Sequence, residues 1–219
     1  MNPNLIVWQP APAIAMRFAI ESETPAARQS ARWLFSPWLA ENTDAPIARR
    51  WRLDANGDDS YSVADAGTTY TGDGDAKLNW RERPLVELLT QLEYASLGHF
   101  VAHLPSDFVG LHGALLSREF DGERRAVIVV GPKEAGKSTL SCALWRAGWT
   151  LHCDDFTLLN ARGQAWPTAR RVSLRHGSRA LMGEELWHSA TQTPSARVSD
   201  NGVLFHPHEI EGQGRALRR

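Results

Sequence analysis

Apolar positions along the chain fall into two stretches with different rhythms. In the first, a short apolar run over residues 14–20 predicts a strand, and polar residues 21–29, containing Pro25, predict a loop or short helix. Trp33, Leu34, Phe35, Trp38 and Leu39 gather around Pro37 and predict an aromatic core plug rather than a ligand platform. Residues 50–53 and 61–63 flank Asn56-Gly57, the strongest short-range hairpin signal. Residues 68–71 predict a third strand and Gly72-Asp73-Gly74-Asp75 a solvated turn, since the run lacks the spacing and the closing Glu of a calcium loop. Leu85, Leu88, Leu89, Leu92, Ala95, Leu97 and Phe100 recur near three- and four-residue spacing and predict a helix over 84–103, with Pro84 in its first turn. Pro105-Ser106-Asp107 ends it. The chain therefore divides into an α+β region, 1–105, and a second region, 106–219.

The second region has a strand–turn–strand rhythm that runs into a helix. Residues 108–117 and 125–130 flank the turn Phe120-Asp121-Gly122-Glu123 and predict an antiparallel hairpin. Five apolar residues, 126–130, predict a buried strand. Residues 138–147 carry a helical apolar pattern, and Gly148 sits where a helix stop belongs. Residues 149–159 predict one strand, or two meeting at Asp154 and Asp155. A turn follows at 160–163, then a segment at 165–167, a short helix at 181–187 and one last apolar run, Val203-Leu204-Phe205.

The loop between the strand and the helix carries chemistry. Gly131, Pro132, Lys133, Glu134, Ala135, Gly136, Lys137 and Ser138 fit G-x-x-x-x-G-K-[ST], the Walker A pattern, with Thr139 continuing into the helix. Inward-turned backbone N–H groups make an anion nest, and the helix adds its positive dipole end. Lys137 would supply a point charge to the β- and γ-phosphates and Ser138 a hydroxyl to Mg²⁺. Glu134 brings a negative charge into this loop, and Ala135 stands where many such loops have Gly.

Asp154 lies sixteen residues after Ser138, enough for the helix to go out and a strand to return to the same end of the sheet. A carboxylate there can hold Mg²⁺, and an adjacent one can take the proton of an attacking hydroxyl. Close together, two carboxylates would raise one pKa, which suits a base. His112, on the preceding hairpin, is the third candidate. Arg170, Arg171 and Arg175 could place a guanidinium on a phosphate, although a solvated basic face is expected for two of the three. His206, His208 and Glu209 lack the partners of a metal site. Cys142 and Cys153 are expected in the core.

Composition excludes several classes. Twenty-four basic against twenty-five acidic residues give a net charge of −1, so no nucleic-acid partner is expected. No run of eighteen apolar residues exists, so no membrane span is expected, and residues 1–12 do not read as a signal peptide. Two cysteines point to a reducing, cytoplasmic setting rather than a disulfide framework.

Taken together, His112-Gly113, the loop, the continuation 139–141, the return 148–151 and Asp154-Asp155 resemble the HPr kinase/phosphorylase family, and within it the smaller HPr-kinase-like proteins found with peptide-modification systems. The likeness covers residues 108–175. It implies an α/β fold: a P-loop core with a mixed sheet of the HPr kinase and phosphoenolpyruvate carboxykinase type, preceded by the α+β region. It implies an ATP-dependent kinase acting on a hydroxyl of a peptide, protein or small molecule. Residues 131–139 would bind ATP, and Lys137 would serve both binding and catalysis. Ser138 and one acid of the pair would bind Mg²⁺, Asp154 being assigned to the metal. His112, Asp154 and Asp155 are kept as catalytic candidates, and which acid is the base stays open. HPr itself is not the expected acceptor, because residues 1–105 do not resemble the family's N-terminal domain. The partners are a nucleotide and an unnamed acceptor, with self-association left open. The rival reading is an accessory or regulatory protein that binds ATP without transferring its phosphate.

Overall fold

The structure, a computed structural model, describes residues 2–36, 38–40, 46–57, 60–68, 80–132, 135–168, 170–194 and 196–210. It is a mixed α/β protein, with five α-helices and three sheets among the described residues. It divides into two compact units, Met1–Leu104 and Pro105–Arg219.

The first unit is a five-stranded sheet with two helices. β1 (Leu5–Trp8) pairs antiparallel with β2 (Arg17–Glu21), and α1 (Pro25–Phe35) crosses over to β3 (Ile47–Gly57), parallel to β2. β4 (Ser60–Thr68) and β5 (Trp80–Pro84) complete the order β1-β2-β3-β4-β5, and α2 (Leu85–Ala102) follows directly. The Asn-Gly hairpin is therefore β3–β4. Residues 69–75, expected to hold a further strand end and a turn, lie outside the described residues, as does Pro37. Pro25 starts α1, and Ala27, Ala31, Leu34 and Phe35 form its buried stripe. Phe35 stacks on Trp8 at 3.9 Å, and Trp8, Phe18 and Trp51 continue the stack; of the expected plug, Leu34 and Phe35 are core, whereas Trp33, Trp38 and Leu39 are half-buried. Buried Arg49 is matched by Asp65 at 3.0 Å and lies over the Trp51 ring. On α2, Leu88, Leu89, Leu92, Ser96, His99 and Phe100 are buried at helical spacing. Pro84 stands at the N-cap, one residue earlier than expected.

The second unit is built on one long strand, β6 (Phe108–Phe120). β7 (Glu123–Val130) pairs antiparallel along one side of it, across a turn in which Asp121 and Gly122 both have positive φ, as a two-residue type I′ hairpin requires. α3 (Lys137–Arg146) leads to β8 (Thr150–Cys153), which pairs antiparallel with the other side of β6. β7 and β8 therefore run parallel to each other with β6 between them, and their carboxyl ends share one end of the sheet. β9 (Phe156–Asn160) continues along the same side of β6, and β10 (Ala165–Pro167) pairs with β9. The acids are the break between two strands laid end to end on β6.

β11 (Val172–Arg175), α4 (Arg179–Met182), α5 (Glu184–Gln192), β12 (Arg197–Ser199) and β13 (Gly202–Phe205) follow, with a three-stranded sheet in the order β11-β13-β12. The short helix expected at 181–187 is two helices broken at Gly183. Cys142 and Trp145 of α3, Leu116 of β6, Leu151 of β8, Trp187 of α5 and Phe205 of β13 share one core, in which Trp145 stacks on Phe205 at 5.6 Å. α3 stops in a Schellman arrangement. Gly148 N–H donates to the Trp145 carbonyl at 2.9 Å and Trp149 N–H to the Leu144 carbonyl at 3.1 Å.

One expectation is corrected here. The strand entering the loop is not buried. Val127, Ile128 and Val129 are half-buried, and Ala126 and Val130 are exposed. β7 is an edge strand that pairs only with β6 among the described residues, so five apolar residues in a row did not imply cover on both faces.

His152 of β8 is a half-buried titratable group. Its Nε2 lies 2.8 Å from the Ser117 hydroxyl. Burial, and after it the Arg124 guanidinium, push its imidazole down to about 4. The unfolded chain takes this proton near pH 6.5, while the folded chain resists it to about 4. The stability it contributes is complete above pH 6.5 and is lost as pH falls toward 4, a change of about 3 kcal/mol. Urea midpoints measured across that window should fall less steeply in His152→Gln than in wild type.

Candidate functional site

Gly113 is where three strands meet. It is opposite Val130, the last residue before the loop, in the β6–β7 register. Its N–H donates to the Asp155 carbonyl at 3.0 Å, and its carbonyl accepts the Thr157 hydroxyl at 2.9 Å. Adjacent strands lie about 4.8 Å apart, so the start of the loop, His112-Gly113 and the acids occupy one row about 10 Å wide. A Cβ on Gly113 would stand 2.5 Å from the Val129 carbonyl oxygen and 2.8 Å from Val130 Cγ1. Gly113→Ala should therefore cost about 1–3 kcal/mol by forcing β6 and β7 apart, measurable as a lower urea midpoint.

The loop opens to solution. Gly136 has φ +84 and turns the chain into α3, whose start has no side-chain cap. The first N–H groups of a helix lack an intrahelical carbonyl partner, which is the usual condition for anion binding at a helix start. Ala135, Gly136, Ser138 and Thr139 are exposed. Lys137 Nζ reaches back across the loop and donates to the carbonyls of Gly131 at 2.9 Å and Pro132 at 3.0 Å. The ammonium therefore sits over the loop rather than in bulk solvent. Lys133 and Glu134 lie outside the described residues.

The two acids do different things. Asp154 Oδ2 accepts the Ser173 N–H at 2.9 Å. Its charge is also felt by Cys142, whose thiol burial first, and Asp154 second, push up to about 11. Cys142 is four residues after Ser138 on α3, so the two share one face of that helix. Asp155 instead faces His112, whose Nε2 lies 2.9 Å from Oδ1. Arg170 Nη1 contacts the other oxygen, Oδ2. The carboxylates are engaged separately.

The expectations for the basic segment are corrected. Arg170 and Arg171 are not a solvated face: the Arg170 side chain is 16% exposed and Arg171 is buried, leaving Arg175 as the exposed member. Nor does Arg170 point its guanidinium into the phosphate loop, since it is taken up by Asp155. No single residue in the sequence marked this pairing; the only sign was a basic cluster fifteen residues after the acids. Cys142 and Cys153 are free and buried, as expected of core thiols.

Mg²⁺ takes one or two protein ligands together with phosphate oxygens and water; Ser138 and Asp154 are the residues that could hold it beside a polyphosphate. Among the described residues, no three His, Cys, Asp or Glu side chains gather to hold a metal unaided, and no helix is long and apolar enough to cross a membrane. Comparison with family models, curated proteins and solved structures gave no significant match.

Proposed function

We propose that the second unit is an ATP-dependent phosphotransferase with the P-loop nucleotide fold of the HPr kinase and phosphoenolpyruvate carboxykinase type. The observation that carries the reading is the convergence on one sheet end of the G-x-x-x-x-G-K-S loop, His112 and the acid pair. Loop N–H groups and Lys137 hold the β- and γ-phosphates. Ser138 and Asp154 would hold Mg²⁺, which when bound would supply positive charge to the phosphate oxygens. Asp155, oriented by His112, is the base. The acceptor oxygen bonds to the γ-phosphorus, the bond from that phosphorus to the bridging oxygen of ADP breaks, and the acceptor proton passes to the Asp155 carboxylate. The assignment of Asp155 as base is supported by its His112 partner, and it leaves Asp154 to the metal.

The rival reading, an accessory protein that binds ATP without transfer, is favoured by one observation. Both oxygens of Asp155 are already engaged, one by His112 and the other by Arg170. Incubation with γ-labelled ATP and a panel of serine peptides, threonine peptides and polyols separates the two. Label on an acceptor supports transfer; label only in inorganic phosphate supports the accessory reading.

A further inference from the structure

We propose that Arg170 is a positioning residue acting on the base carboxylate, not on the nucleotide. This rests on Asp155 being the base. Arg170 Nη1 contacts Asp155 Oδ2 while His112 Nε2 holds Oδ1. A carboxylate gripped at both oxygens cannot rotate about its side-chain bonds, so the direction it presents to an acceptor is set by two fixed partners. The grip is anchored on both sides. Asp155 is tied to β6 through its carbonyl and the Gly113 N–H, at 3.0 Å. Arg170 follows Thr168, whose hydroxyl donates to the Phe156 carbonyl at 2.8 Å, and the Arg170 N–H donates to the Thr168 carbonyl at 2.7 Å. The segment bearing the guanidinium is thus fastened to the residue next to the base. A guanidinium meant for phosphate would need freedom to reach the loop; this one is 16% exposed and already committed.

The two roles separate experimentally. A phosphate-binding Arg affects ATP affinity, whereas one that acts through Asp155 affects turnover. Arg170→Ala is expected to lower kcat by about 10²-fold with the KM for ATP and the Mg-ATP thermal shift within about twofold of wild type. Arg170→Lys should recover part of the loss. In Asp155→Asn, adding Arg170→Ala should cost little more, because both changes remove the same function. A raised KM for ATP with kcat preserved, or losses that multiply in the double variant, would overturn the proposal. If wild type transfers no phosphate to any acceptor, the kinase reading has failed instead. The contact is then judged by urea midpoints of the same four proteins, where strictly additive shifts would refute it and non-additive ones would support it.

Discussion

Lys137→Ala is expected to remove most of the rise in melting temperature that Mg-ATP should give the wild-type chain. A ligand bound only to the folded state stabilises it by about 2.7 kcal/mol at a hundredfold excess over Kd. For a unit of this size that is on the order of 10 °C. Lys137 is expected to carry much of this because it is the ammonium held over the loop, 2.9 and 3.0 Å from the Gly131 and Pro132 carbonyls. Those are modest contacts for a cation, and a triphosphate offers far stronger ones. Binding would draw Nζ away from the carbonyls onto phosphate oxygens, while the backbone N–H groups remain in place. Without Lys137 the nest keeps its amides but loses its only described point charge. Differential scanning fluorimetry, with and without nucleotide, checks this in both proteins. A variant that still responds as wild type does would place the phosphates elsewhere.

The second large effect is expected at Asp155. Asp155→Asn keeps the size of the side chain and removes its charge. General-base catalysis is worth about 10²–10⁴-fold, so phosphoryl transfer should fall by that factor while the Mg-ATP thermal shift persists. Asp154→Asn should behave differently. It weakens the magnesium side of the site, so its defect should ease as Mg²⁺ is raised, whereas that of Asp155→Asn should not. Rates measured over a Mg²⁺ series distinguish the two acids, which the sequence alone left interchangeable.

The parts of this site legible in the sequence were those with local chemical signatures. The Asp121-Gly122 turn and the Gly-Lys-Ser start of α3 depend on neighbours within a few residues, and the sixteen-residue spacing to the acids is one helix and one returning strand. Residues 149–159 left open one strand or two meeting at Asp154-Asp155; the structure has two, because the polar pair interrupts an otherwise apolar run. What was hidden depends on sheet context. The run 126–130 reads the same on an edge as in a sheet centre, and the structure puts it on the edge. β1 carries only four residues, and β5, with Trp80, Arg81, Glu82 and Arg83, has a charge pattern that signals a strand poorly. Arg170 was seen as a basic residue, but its partner lies in the break between β8 and β9 and could not be read from spacing.

The most direct test is a crystal structure with Mg²⁺ and a non-hydrolysable ATP analogue. The expected result has the β- and γ-phosphates on the N–H groups of residues 131–138, with Lys137 moved off the Gly131 and Pro132 carbonyls. Mg²⁺ lies between Ser138 and the Asp154 side, and the γ-phosphorus is separated from Asp155 by room for one hydroxyl. A nucleotide bound away from this loop, or a γ-phosphate turned away from the His112–Asp155 pair, would contradict it.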